Sequence, residues 1–313
     1  MTLDTFTEHA HGNQPDAALA PLSRQQAALL VQLGLRAATS LGLDVTYEGG
    51  AALVPPDHSA RGPVLGLSNL ARMLARYDET CWPMLVDEHF TEILRQLRAG
   101  PPTPPADPSR ELIQRLVPRD ALPDNWTADR PDFVPGLLAV PSSVDDDIVT
   151  MWLEPADLGL VWSEAERLGL ANLRSMVDHV EYLEQDDVRV ALVTGSAFAA
   201  SRALVLDTVL RETLQLEHPP PYGVLAAMPA RDRLLLHVIQ DLSVIPALGL
   251  LLHLTARSHT RDPGPLSPDV YLVTPSLTWH PATTASPDRL PLRMSPELQS
   301  LSERLAEFDA GGN

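Results

Sequence analysis

The sequence contains no lysine, so each of its 23 basic residues is an arginine. A GC-rich genome avoids lysine codons, and the chemical consequence is the same whatever the cause. Four kinds of site depend on a lysine side chain: the P-loop, the kinase strand lysine, the Schiff-base lysine and the Ser-Lys dyad. The sequence excludes all four.

Cysteine is almost absent, since Cys81 is the only one. A single thiol cannot form an internal disulfide bond or a thiolate cage for zinc. Residues 1–20 are polar and lack the apolar run of a signal peptide, and the most apolar window, 242–254, is too short to span a bilayer. We therefore expect a soluble cytoplasmic protein with no membrane partner.

Positive charge is also scarce, because 41 acidic residues give a formal net charge of −18. Proteins that bind nucleic acid or anionic membranes neutralise phosphates with basic side chains. Neither is an expected partner here. The excess acid favours solubility, and a basic surface on a partner protein is the alternative interpretation.

Proline is abundant, and its densest stretch is 100–108 (GPPTPPADP). Proline fixes φ and removes an amide donor, so this stretch is predicted to be a stiff, extended linker. The predicted organisation is a flexible leader (1–20), a mostly helical part with a β-hairpin (21–99), the linker, an α+β domain (109–280), and an extension with an amphipathic helix (281–313).

The fold class follows from the apolar runs of the fourth segment, the predicted α+β domain. Residues 188–194 form a β-branched run, and 222–228 and 233–239 flank a Pro-Ala-Arg-Asp turn as a hairpin would. Hairpins mixed with helices predict an α+β fold with a mainly antiparallel sheet and packed helices, ahead of a doubly wound α/β fold.

Helix starts are predicted from capping patterns. Ser23 with Gln26, and Ser163 with Glu166, have the spacing of a capping box. We expect a further helix over 172–182.

Two more helices are predicted toward the end of the chain. One is a long helix over 198–214, and the other begins where Ser295 precedes Pro296. Serine is a preferred N-cap, and proline is favoured at the first helical position.

The turn Gly195-Ser196, between a predicted strand and a predicted helix, is the most enzyme-like feature. A nucleophile elbow places a serine on such a turn, but it requires a second glycine two residues later, where this chain has Phe198. An N-cap serine after a turn-forming glycine explains the pattern more simply. Ser196 is therefore a weak catalytic candidate.

Arg231 and Asp232 lie in the turn of the predicted hairpin. Two interpretations are open. Arg231 and Asp232 form an ion pair that stabilises the turn, or the planar guanidinium of Arg231 donates hydrogen bonds to a carboxylate or phosphate of a partner. No histidine or carboxylate pattern has the spacing of a metal site, so neither a metal nor a cofactor is expected.

Short landmarks in the chain resemble those of the YtpQ-like family, a group of bacterial proteins of unknown function. They run in the same order over 63–279: LSNL at 67–70, VPR at 117–119, SE at 163–164, NL at 172–173, Gly195, SR at 201–202, MPARD at 228–232, LS at 266–267 and VY at 270–271. The resemblance implies a cytoplasmic α+β protein without a known cofactor or catalytic residue. The chain departs from the family in its proline-rich linker, missing lysine and C-terminal helix.

These patterns lead to a functional hypothesis. We expect a non-catalytic protein-interaction module of the adaptor, inhibitor or immunity type, with Arg231, Asp232, Arg202 and Asn172 as candidate binding residues. The alternative is a small hydrolase or small-molecule-binding protein that uses the Gly195-Ser196 turn. The oligomeric state stays open.

Overall fold

A computed structural model describes residues 14–56, 64–100, 102–145, 148–185, 188–284 and 293–311. The first 13 residues of the predicted leader lie outside these ranges. The fold is α+β, with antiparallel sheets and packed helices, as predicted. The chain forms two compact units, residues 1–102 with 260–264, and residues 103–259 with 265–313.

The first unit is mostly helical. Its elements are α1 (Arg24–Ser40), β1 (Ala52–Leu53), β2 (Leu65–Gly66), α2 (Ser68–Leu74), a 3₁₀ turn (Glu79–Cys81) and α3 (Trp82–Ala99). The capping box at Ser23 is confirmed: its hydroxyl accepts from the Gln26 amide at 3.3 Å, and the Gln26 side chain accepts from the Ser23 amide at 3.0 Å. Trp82 and Phe90 of α3 are fully buried in this unit's core.

Two predicted features of this unit differ in detail. Leu19, inside the predicted leader, is fully buried in the core. In the region of the predicted hairpin, Thr46 and Val54 form a single bridge, while Ala52–Leu53 pairs with Leu65–Gly66 instead.

The second unit contains the sheets and the remaining helices. Before the main sheet come α4 (Pro108–Glu111), β3 (Ile113–Pro118), a 3₁₀ turn (Arg119–Ala121), α5 (Asp124–Thr127), β4 (Leu137–Asp145), β5 (Ile148–Met151), a 3₁₀ turn (Pro155–Leu158) and α6 (Trp162–Arg174). Then come β6 (His179–Gln185), β7 (Val188–Thr194), β8 (Val224–Ala230), β9 (Arg233–Val238), α8 (Val244–Arg261), β10 (Val270–Val273), β11 (Trp279–Pro281), β12 (Thr283–Thr284), β13 (Arg293–Met294) and α9 (Pro296–Gly311). Between β7 and β8 lie a 3₁₀ turn (Ala200–Val205), α7 (Leu206–Thr208) and a π turn (Val209–Thr213).

Six strands form the main antiparallel sheet, in the order β11-β10-β8-β9-β7-β6. Side chains alternate between its faces. Ala191 and Val193 of β7 pack with the helical residues 200–213, whereas Val188 and Val190 pack with α8 and α9. The central strands of the sheet are therefore buried on both sides, whereas β6 lies at one edge and is mostly exposed.

The predicted helix over 172–182 is wrong. Helix α6 ends at Arg174, and β6 begins at His179 and pairs with all of β7, from His179–Thr194 to Gln185–Val188. Val180, Tyr182 and their neighbours favour a pleated strand once a partner strand is available. The long-range pairing therefore overrides the local helical pattern.

Two helix details also differ from expectation. The predicted capping box at Ser163 is wrong, because α6 begins at Trp162 after Val161 and has no side-chain cap. The predicted long helix over 198–214 is broken into the 3₁₀, α and π pieces that lie between β7 and β8.

The prediction for the C-terminal helix is confirmed, since the Ser295 hydroxyl accepts a hydrogen bond from the Leu298 amide at 3.3 Å. Within the described residues, no helix is long and apolar enough to cross a membrane.

Gly223, just before β8, allows two chain segments to approach closely. Its φ is +81°, and a Cβ built on it would lie 2.0 Å from the carbonyl oxygen of Val273. Substitution G223A should lower the free energy of unfolding by about 4 kcal/mol or more, because the backbone must move. Urea unfolding measures this loss.

Gly136 is the matched control, with φ of +80° and no atom within 4 Å of the position that a Cβ would occupy. G136A should cost only about 1–2 kcal/mol, the usual penalty for a side chain at positive φ. Equal losses in the two variants would contradict the steric explanation.

Tyr271 of β10 is expected to make the free energy of unfolding decrease at alkaline pH. Burial raises the pKa of its hydroxyl to about 12, and Asp269 adds to the rise while the hydrogen bond with Ser267 opposes it. The neutral form is favoured in the folded state, so its contribution, of order 2 kcal/mol, is complete below pH ~10 and is lost as the pH rises toward 12. No lysine titrates in this range.

The measurement is urea unfolding between neutral pH and pH ~11.5, repeated with Y271F, because a pKa shift is a statement about stability. The parent should lose stability above pH ~10 and the variant should lose less. Identical pH profiles would refute the assignment.

Candidate functional site

The turn after β7 is held by its own serine. Gly195 has φ of +119°, and the Ser196 hydroxyl oxygen accepts a hydrogen bond from the Phe198 amide at 3.1 Å. Ser196 is half-buried. Its oxygen is used to fix the turn, and its hydroxyl hydrogen remains able to donate.

The hairpin turn between β8 and β9 lies against this segment. The carbonyl of Arg231 accepts a hydrogen bond from the Ala200 amide at 3.2 Å. Asp232 pairs with Arg233, at 3.2 Å, rather than with Arg231. Among the described residues, the Arg231 side chain has no carboxylate partner, so the hairpin is not locked by an Arg231–Asp232 pair.

Arg115 of β3 completes this cluster, and the sequence reasoning missed it. Its guanidinium lies 6.0 Å from the centre of the Phe198 ring. Burial, together with the charge of Arg231, lowers the pKa of Arg115. An arginine inside the apolar strand Ile113–Pro118 is the one signal that could have identified it. We call Arg115, Arg231, Ser196 and Phe198 the arginine site.

Arg202 lies in the interior. Its side chain is 1% exposed, and its Nε contacts both carboxylate oxygens of Asp178, at 2.9 and 3.1 Å. A second nitrogen donates to the Leu173 carbonyl, and the Thr213 hydroxyl donates to Asp178 at 2.8 Å. The guanidinium thus connects α6, the residue before β6 and the π turn.

The Asn172 side chain also makes hydrogen bonds within the protein. Its side-chain amide donates to the carbonyl oxygens of Ser109 and Leu112, at 2.9 and 2.8 Å. Both contacts tie α6 to the segment before β3. Of the predicted site residues, Ser196 and Arg231 lie on two segments that the hydrogen bond from Ala200 to Arg231 joins, whereas Arg202 and Asn172 make contacts within the fold.

Strand β6 offers a different kind of surface. It pairs with β7 on one side and is the last strand of the sheet order. Tyr182 is 43% exposed and Leu183 36%, on opposite faces of the strand. The Glu181 and Glu184 side chains are 62% and 73% exposed, and Arg189 stacks on the Tyr182 ring at 3.6 Å.

A pocket of about 190 Å³ lies beside residues 206–211. Most of its lining is apolar: Leu206, Leu210, Leu216, Val224, Val273, Leu277 and three prolines, with Asp207, Arg211, Glu217 and His218 among the polar residues. Leu277 and the nearby Gln215 have positive φ values of 61° and 55°. The lining suits a small apolar molecule. None of the predicted site residues contributes to it.

The described residues contain no group of three or more His, Cys, Asp or Glu side chains placed to hold a metal ion. No protein-family model, curated protein or solved structure matches the chain. The resemblance to the YtpQ-like family therefore stays a prediction.

The buried ion pair generates a stability prediction. R202M leaves the Asp178 carboxylate without its main partner in the interior, and we expect a loss of about 3–5 kcal/mol in the free energy of unfolding. The double variant R202M/D178L should recover much of that loss, because it removes both buried charges. Urea unfolding with an unchanged slope is the measurement.

Arg174 and Asp207 provide the control, since their ion pair at 2.7 Å is 44% and 40% exposed. R174M should cost less than about 1 kcal/mol. A loss in R202M no larger than in R174M would refute the structural importance of the buried pair.

Proposed function

We propose that this protein is a non-catalytic protein-interaction module that binds an extended segment of a partner protein along strand β6. An adaptor, inhibitor or immunity-type protein would act in this way. The observation that carries the proposal is the edge of the main sheet at β6, which pairs with no further strand among the described residues. This strand is seven residues long and has exposed apolar side chains on both faces.

The backbone of β6 supports this mode of binding. In an edge strand, alternate residues direct their N–H and C=O groups away from the sheet, where they can pair with an added strand. Such β-augmentation derives affinity from main-chain hydrogen bonds and specificity from alternate side chains. Tyr182 and Leu183 would supply an apolar contact on each face.

The charges on β6 specify the partner. Glu181 and Glu184 lie on opposite faces of the strand, and the chain carries a formal net charge of −18. Opposite charges on neighbouring strands stabilise pairing, and like charges oppose it. The partner segment is therefore basic and extended, and a second copy of this acidic chain is disfavoured.

The Arg189 side chain prepares Tyr182 for this role. It stacks on the ring at 3.6 Å and lies 3.6 Å from the Glu184 carboxylate, so it orders both side chains before binding. Groups that are already ordered lose less conformational entropy on association.

Selection of random peptides displayed on phage tests the proposal. We expect enrichment of segments that alternate arginine or lysine with β-branched or aromatic residues. E181Q/E184Q should weaken binding of a selected peptide by about three- to tenfold, since each exposed charge pair contributes under about 1 kcal/mol. Amides of β6 should become protected from hydrogen exchange in the complex.

The control is E164Q/E166Q, which removes the same charge from exposed positions of α6. It should leave the peptide affinity nearly unchanged. Equal weakening in both double variants would mean that the peptide responds to net charge alone, and the β6 proposal would fail.

A further inference from the structure

Arg115 and Arg231 are unmatched charges in a protein that pairs several of its other arginines with carboxylates. Arg202 faces Asp178, Arg119 faces Asp132 and Arg174 faces Asp207. Arg115 and Arg231 are both half-buried, and neither has an ion pair within the described part of the chain. This occurs although acidic residues outnumber arginines by 41 to 23.

The segments that carry Arg115 and Arg231 are both fixed to residues 200 and 201. The Leu116 amide donates to the Ser201 hydroxyl at 2.9 Å, which fixes β3 against the 3₁₀ turn at 200–205. The Ala200 amide bonds the Arg231 carbonyl, which fixes the hairpin turn against the same segment. Burial lowers the pKa of Arg115, and the positive charge of Arg231 adds to this lowering.

Two partly desolvated like charges raise the free energy of the folded protein, and a bound anion removes that cost. A planar guanidinium can donate two parallel hydrogen bonds to the oxygens of a phosphate. Two arginines together balance the charge of a phosphate dianion.

We propose that the arginine site binds a phosphate group, either inorganic phosphate or the phosphate of a small monoester, between Arg115 and Arg231. The centre of the Phe198 ring lies 6.0 Å from the Arg115 guanidinium. This site is separate from the β6 surface and goes beyond the proposed interaction function.

Calorimetric titration with inorganic phosphate, in a chloride buffer of low ionic strength, tests the site. Phosphate should bind with one-to-one stoichiometry and raise the melting temperature. R115Q and R231Q should each weaken binding by about tenfold or more, because each removes a charge-assisted fork. R257Q, an exposed arginine on α8 across the sheet, should bind as the parent does.

Melting temperatures show whether each variant is folded. Without phosphate, R231Q should melt at or above the parent temperature, because it relieves repulsion; with phosphate, it should melt below the parent. Phenyl phosphate distinguishes a small monoester from inorganic phosphate as the natural ligand. Tighter binding than phosphate indicates a monoester, and equal binding indicates the free anion.

Absence of phosphate binding would overturn the proposal, as would equal weakening by R115Q, R231Q and R257Q. E181Q/E184Q should retain phosphate binding. Its result therefore separates a failure of this site from a failure of the β6 interaction.

Discussion

The buried contact between Arg202 and Asp178 is the interaction on which the rest of the second unit depends. One guanidinium contacts the carboxylate just before β6, the Leu173 carbonyl of α6 and, through Asp178, the Thr213 hydroxyl of the π turn. Buried ion pairs add little net stability, but they are costly to break and restrict the arrangements a fold can adopt. The contact thereby ties the start of β6 to α6.

Both candidate surfaces adjoin this contact. Asp178 directly precedes the edge strand β6, and the turn after β7 approaches the start of β6, where Gly195 lies close to the His179 amide. The same helical segment, 200–213, carries the serine that anchors β3. The interior ion pair thus joins the residue before β6 to the 3₁₀ turn at 200–205, which contacts β3 and the hairpin turn.

Local signals predicted many of the elements correctly. The capping box at Ser23, the serine cap at Ser295 and the hairpin around Arg231 depend on contacts within a few residues, so short patterns were sufficient. The helix predicted over 172–182 failed because its second half pairs with β7, which propensity cannot foresee. The site was half foreseen: Ser196 and Arg231 were identified, but Arg115 lies more than 80 residues from Ser196 along the chain.

The sequence by itself determined the α+β class, the excess of acid and the exclusion of lysine chemistry, because these follow from composition and short-range periodicity. Without lysine, arginine takes every cationic role, and a guanidinium remains charged even when partly buried. Only the tertiary structure decided which arginines are matched. Arg202 and Arg231 look alike along the chain, yet Arg202 meets a carboxylate in the interior, and Arg231 has no carboxylate partner among the described residues. Partners of this kind come from distant strands, so the pairing of charges is a property of the fold.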